Sequence, residues 1–491
     1  MTSINTRNVR RARRLQTPNP ITKPETLVPY DSRNMARSPP VESTPVRTLR
    51  EVQRVLVARD LWPRARVVND QARARIALSV WGAVVLIGAA AVSALIAEGH
   101  NVAIGAPPLH ATWEPVVGAG SAGAVAAGAL VFAGSRAAAY LPWRRLLVTS
   151  SVAAGGWAVA VSAIRGGDRL VAPLRSRFEY SAAVPRIHDV GDFLATFVDR
   201  LPSYPVHVQG HPPALVVALR ALRDLGLTSD WWPALAFIAG GALAVPAVLV
   251  AARDVAGEAN ARRAAPFLVL APAVIWLATS ADALYTGVTA WGVALVIVAT
   301  GRQDRRGDLA ATAGGVLLGL GIFCSYGLVL VAIVPLTVAA SRRRVRPVLL
   351  AAAGGGVVVL AFLVAGFWWL DGLLATRARY VSGVASRRPY GVFLVSNLAA
   401  FAIALGPAAA VGLARLRDRR LWLLVGAGVA IVALADLGGM SKGEVERIWL
   451  PFVPWMLLAA AAAAGPRRPG VLLAAQAGTT ILVESLVRTP W

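Results

Sequence analysis

From about residue 76 to the end of the sequence, apolar runs follow one another, each close to the ~20 residues that cross a hydrocarbon core as a helix. This feature constrains the fold more than any other, because a backbone inside lipid must satisfy its own polar groups, and a helix does so within one segment. About thirteen runs are counted, near 76–97, 113–134, 145–164, 232–252, 265–281, 284–300, 309–324, 326–341, 347–369, 391–414, 421–438, 449–464 and 469–487. The expected fold is therefore an all-α polytopic membrane protein. A chain that is 56% hydrophobic and 15% charged, with its apolar residues in runs this long, is excluded from the soluble enzymes.

The formal net charge of +24 could suggest nucleic acid. The arginines, however, lie in an N-terminal arm and in short loops between apolar runs, the distribution of the positive-inside rule. Membrane lipids, and no nucleic acid, are the expected partners. Residues 1–75 read as a basic, mostly disordered cytoplasmic arm, in which Thr48–Leu61 has the apolar spacing of an amphipathic helix. The single Cys324 excludes an intrachain disulfide and any cysteine cluster.

With the arm inside, alternate loops carry Arg136, Arg144 and Arg145; Arg253, Arg262 and Arg263; Arg302, Arg305 and Arg306; Arg342, Arg343, Arg344 and Arg346; Arg415, Arg417, Arg419 and Arg420; and Arg467 and Arg468. The alternation holds only if Ala214–Leu227, about 14 residues long, lies at the interface instead of crossing. Residues 165–231 then form one large extracytoplasmic loop with juxtamembrane helices. The expected organisation is the arm 1–75, two leading helices in 76–144, a module over 145–464, and a last helix in 465–491.

On this topology the extracytoplasmic face receives the carboxylates, histidines and tyrosines of the large loop, the segment Ser280–Tyr285, the loop 370–391 and the segment Gly443–Trp449. Each has a plainer role. Glu179 could pair with Arg175 or Arg177, and Asp189 and Asp192 have the placement of helix caps. His207 and His211 are four apart, a metal spacing on a helix, but Pro205, Gly210, Pro212 and Pro213 forbid a regular helix there; no metal ligand is assigned. Arg377, Arg379, Arg387 and Arg388 break the charge rule on a translocated loop, and a phosphate partner explains them as well as arginine-rich coding does.

The order of these pieces resembles the GT-C superfamily of integral-membrane glycosyltransferases, in particular the protein O-mannosyltransferase-like and aminoarabinose-transferase-like branch. Phe178-Glu179-Tyr180 is similar to the acidic opening of the family's outer loop, Gly191-Asp192-Phe193 to its Gly-Asp element, and His211-Pro212-Pro213-Ala214 to its closing Pro-Pro element. Ser280–Tyr285 is similar to a later element at a span end. The likeness covers about 145–460 and departs from the pattern in the two leading spans, in a lone acid at the loop's start and in Ala214. It implies inverting transfer of a sugar from a polyprenyl-phosphate donor to a cell-envelope glycan, lipid or protein acceptor. Glu179 is then the first choice of base, with Asp189 and Asp192 behind it. Tyr180, Tyr204, His207, His211, Asp282, Tyr285, Arg379, Arg387, Arg388, Glu444, Glu446 and Arg447 are the expected substrate-binding residues. A divalent metal ion is a candidate cofactor. The competing expectation is a lipid or glycolipid transporter, which calls for charge near the bilayer midplane; the runs contain almost none.

Overall fold

The computed structural model describes residues 49–278, 280–463 and 469–491. The chain divides into two units, 1–63 and 64–491, and the fold below is that of the second. Residues 1–48 of the expected arm lie outside the described residues, as does the apolar face expected over Thr48–Leu61. The first helix is Leu49–Ala97, and its membrane-length apolar part is Asp70–Ala97.

Among the described residues, eight helices are long and apolar enough to cross a membrane: Asp70–Ala97, Ala119–Ala139, Trp143–Arg165, Trp231–Ala256, Ala281–Thr300, Arg305–Cys324, Arg346–Val364 and Arg419–Leu437. A ninth counts if the pair Tyr390–Leu405 and Pro407–Arg415, bent by 95°, is one span. Three further segments expected to span, Tyr326–Arg342, Leu450–Ala463 and Gly470–Leu486, are apolar but shorter. The run at 265–281 is not one helix. Glu258–Val269 gives way to a 3-10 turn, Pro272–Trp276, because Pro272 has no N–H to continue the ladder. The segment Ala214–Asp224 is a helix of 11 residues, too short to cross, with Leu215, Val216 and Leu219 buried along one side.

Two helices form the centre: in Trp231–Ala256 and Ala281–Thr300, 72% of the best apolar window is buried, against 11% in Asp70–Ala97 and 17% in Arg346–Val364. The central pair meets through glycine. A Cβ on Gly287 would lie 2.1 Å from the Gly240 carbonyl oxygen, so the backbones touch only because neither residue has a side chain. The outer helices expose Leu86, Leu130, Val152 and Val364, as lipid-facing surfaces do. The sharp bend at Gly406-Pro407 leaves backbone groups that no helix satisfies. Gln476, wholly buried, takes them: its Oε1 accepts from the Ala408 N–H at 3.2 Å and its Nε2 donates to the Leu405 carbonyl at 2.9 Å.

At one end of the bundle, 3-10 turns and short helices between Arg165 and Trp231 fold over the helix ends. A two-residue antiparallel ladder, Thr112 opposite Arg488 and Trp113 opposite Val487, ties the loop after the first helix to the segment 487–491. Arg165 fastens the same region, reaching Glu114 at 3.6 Å and Glu484 at 3.4 Å.

Candidate functional site: a buried cluster of acids, histidines and arginine

The Ala281–Thr300 helix begins with Ser280 as its cap. The Ser280 hydroxyl accepts from the Asp282 N–H at 3.1 Å and donates to Asp282 Oδ2 at 3.0 Å, so the helix start sets the carboxylate's direction. That oxygen meets Arg447 Nη1 at 2.7 Å, and the two side chains are 2% and 4% exposed. Arg447 is delivered by the four-residue helix Val445–Ile448. The turn before it is held by Asn397, which donates to Asp436 and to the Ser441 carbonyl and accepts from the Gly443 N–H. Gly443 and Glu444 both have positive φ, 84° and 63°. For Glu444 this is an uncommon conformation, of the kind that concentrates at functional sites.

Glu179 enters the same cluster from the loop. Its Oε1 lies 2.9 Å from His207 Nδ1. The His207 N–H donates to the Phe178 carbonyl at 3.1 Å, which fixes the two segments together. Tyr180 lies between His207 and His211, its ring centroid 5.8 and 5.6 Å from theirs, and His211 is 6.4 Å from Tyr285. The three-dimensional arrangement therefore gathers Glu179, Tyr180, His207, His211, Asp282, Tyr285, Glu444, Glu446 and Arg447 around one buried centre.

Burial and charge compete in this centre. Burial pushes the Glu179 carboxyl up, and the His207 ring and Arg447 guanidinium outweigh it, holding the group below its ordinary value. At Glu446 burial outweighs the backbone hydrogen bonds and Arg447, and the group is raised to about 7. Burial lowers His211 to about 4, so its imidazole is neutral. Burial, reinforced by Asp282, lifts the Tyr180 phenol well above its usual value. Among the described residues, several polar atoms here have no hydrogen-bond partner: Glu446 Oε2, Arg447 Nε, His110 Nδ1 and Trp491 Nε1. Unpaired buried groups are costly, which makes this centre the candidate site.

Other residues singled out by sequence lie elsewhere or are otherwise engaged. Asp189 caps the helix Val190–Ala195 by accepting from the Asp192 N–H at 2.6 Å, and Asp192 pairs at the surface with Arg200 at 3.0 Å. Tyr204 stacks on Phe197 at 5.5 Å between ring centroids. Arg379 donates to Gln209 Oε1 at 2.6 Å, and Arg387 is exposed. Arg388 is buried and fully used: it donates to the carbonyls of Val102, Ala103 and Lys442 and stands 3.9 Å from Glu444. Among the described residues, no three His, Cys, Asp or Glu side chains gather as metal ligands. The two best-placed carboxylates, Glu179 and Asp282, are instead directed at His207 and Arg447.

Sequence reasoning missed two members. The Trp491 ring lies under the Arg447 guanidinium, 4.3 Å from Cζ, and stacks on His110 at 5.2 Å. The His110 N–H donates to Glu446 Oε1 at 2.8 Å. Neither lies in the segments singled out above: His110 follows the first apolar run, and Trp491 follows the last.

Fold and centre together define a polytopic helical membrane protein with a buried acid–histidine–arginine site at one end of its helices. Compared with models of known protein families and with curated protein sequences, the chain matches none.

Proposed function

We propose that the protein is a cell-membrane glycosyltransferase of GT-C type, moving a sugar from a polyprenyl-phosphate donor to a cell-envelope acceptor on the extracytoplasmic face. The observation that carries this reading is the Glu179 carboxylate: buried, kept ionised by His207 and Arg447, and set among unpartnered polar atoms at the helix ends. In the reaction Glu179 takes the proton of the acceptor hydroxyl. The acceptor oxygen bonds to the anomeric carbon, the bond from that carbon to the phosphate oxygen breaks, and polyprenyl phosphate leaves with the electron pair. Arg447, held in place by Asp282, offers its free Nε edge to the charge that develops on the phosphate. Asp189 and Asp192 are weaker candidates for the base, since both are exposed and occupied in capping or surface pairing.

The test is transfer of a labelled sugar from polyprenyl phosphate in membranes. Glu179→Gln abolishes transfer at unchanged protein abundance, and near-normal transfer in that variant removes Glu179 from the chemistry.

A further inference from the structure

We propose that the cavity walled by residues 96–112 and 488–490 is a binding site for a neutral saccharide, and that it receives the acceptor of the transfer reaction. The second clause rests on the function proposed above; the first does not.

The cavity has a volume of about 650 Å³, within the roughly 300–1,000 Å³ of small-molecule sites. Its polar lining is Asn101, His110, Thr112, Thr489, His100 and Arg488, interleaved with the apolar surfaces of Ile104 and Pro490. The charged groups bring their own partners. Arg488 stands 3.3 Å from Glu114, and His100 stands 3.8 Å from Glu98. Burial lowers His110, which keeps that ring neutral. What remains for a ligand is the Asn101 amide, which donates and accepts, the imidazoles, and the acceptor side of the Thr112 hydroxyl, whose proton goes to the Arg488 carbonyl, while Thr489 is spent on the Trp491 carbonyl; such a mixed set matches sugar hydroxyl groups, which both donate and accept. A phosphate headgroup calls for an unpaired guanidinium fork; the larger, apolar share of the lining is the usual setting for a few orienting polar groups in a small-molecule site.

The wall is held in shape before any ligand arrives. Arg388 donates to the Val102 carbonyl at 2.9 Å and to that of Ala103 at 3.4 Å, and Ala103 is fixed at a positive φ of 52°. Such prior ordering lowers the entropic cost of binding. The cavity also abuts the buried centre. His110 lines it, donates its backbone N–H to Glu446 and stacks on Trp491, which lies under Arg447. His110 Nδ1 and Trp491 Nε1, both buried and unpartnered, sit in this partition. The stacked His110–Trp491 pair thus separates a bound saccharide from the acids behind it. Much of the wall comes from the loop after the first apolar helix, outside the stretch 145–460 that carries the GT-C resemblance.

The experiment is binding of the full chain, in lipid nanodiscs, to an array of immobilised neutral glycans. The wild type binds at least one glycan. Asn101→Trp and Thr112→Trp, two independent substitutions at exposed positions that fill the cavity, each weaken binding at least tenfold, while Glu179→Gln binds as the wild type does. Binding of no neutral glycan, or equal binding by monodisperse filled variants, overturns the site. The glycan that binds is then offered as acceptor: Asn101→Trp raises its KM, and Glu179→Gln removes kcat. A glycan that binds while Glu179→Gln still transfers normally leaves the saccharide site standing and defeats the catalytic role of Glu179. If Asn101→Trp weakens binding but leaves the acceptor KM unchanged, the cavity binds saccharide without serving as the acceptor site.

Discussion

Asp282 and Arg447, 165 positions apart in sequence, meet at 2.7 Å with almost no exposed side-chain surface. Removing one partner of such a pair strands the other charge, which costs about 3–5 kcal/mol, whereas replacing both with apolar residues of similar volume is often neutral. Asp282→Ala is therefore expected to lower the thermal midpoint of the detergent-solubilised protein sharply, and Asp282→Leu combined with Arg447→Met to restore much of it. Sugar transfer stays lost in the double variant. Recovery of transfer with the fold would show that the pair is structural only.

The neighbouring arginines Arg387 and Arg388 separate by environment. Arg388 is tied to three backbone carbonyls, so Arg388→Ala leaves buried acceptors unpaired and reduces stability by roughly 1–3 kcal/mol or more. Arg387 is exposed, and Arg387→Ala leaves the melting curve within about 0.5 kcal/mol of wild type. In the transfer assay Arg387→Ala raises the KM for the lipid donor more than that for the acceptor; equal effects on both argue against contact with the donor phosphate.

Glu446 provides a pH test. Its ordinary value is 4.5, and burial raises it to about 7. The folded protein thus binds the proton more tightly than the unfolded chain between those values, and this residue's contribution to stability is fully present below 4.5 and lost as the pH rises through 7. Glu446→Gln, which stays neutral, gains stability relative to wild type between pH 5 and pH 8. Parallel melting curves for the two proteins across that range would contradict the burial of an ionisable group there.

The contact of Gly287 with Gly240 leaves no room for a side chain. Gly287→Leu is expected to separate the two central helices and lower the yield of monodisperse protein several-fold, measured by size-exclusion profile. Leucine at Gly82, where a Cβ meets nothing within 4 Å, is the control and leaves the profile unchanged.

Orientation is testable on its own. In a background with Cys324 replaced by serine, a cysteine at the exposed Ser203 is expected to react with an impermeant reagent in intact cells and one at the exposed Ser341 to be protected. The reverse pattern inverts the proposed topology.

The length and spacing of the apolar runs determined by themselves that this chain is a multi-helix membrane protein, and the short, charged Ala214–Asp224 segment was legible as a helix that does not cross. Runs such as 265–281 looked like spans because hydropathy averages over a window, while Pro272, and likewise the Gly406-Pro407 step, act on individual backbone hydrogen bonds. Asp282 and Arg447 could be picked out as ionisable groups near run ends, and Glu179 as an acid of the large loop. Which of them meet could not be read, because the pairing of residues 179 with 207 and 282 with 447 depends on how helix ends pack. Tertiary structure alone decided that Asp192 is spent at the surface on Arg200, that Arg388 holds loops together, and that Trp491 lies against Arg447. The physical reason is range: helix formation in lipid is settled over a few residues by hydrogen bonds within one segment, whereas a site made of buried charge exists only where distant segments exclude water together.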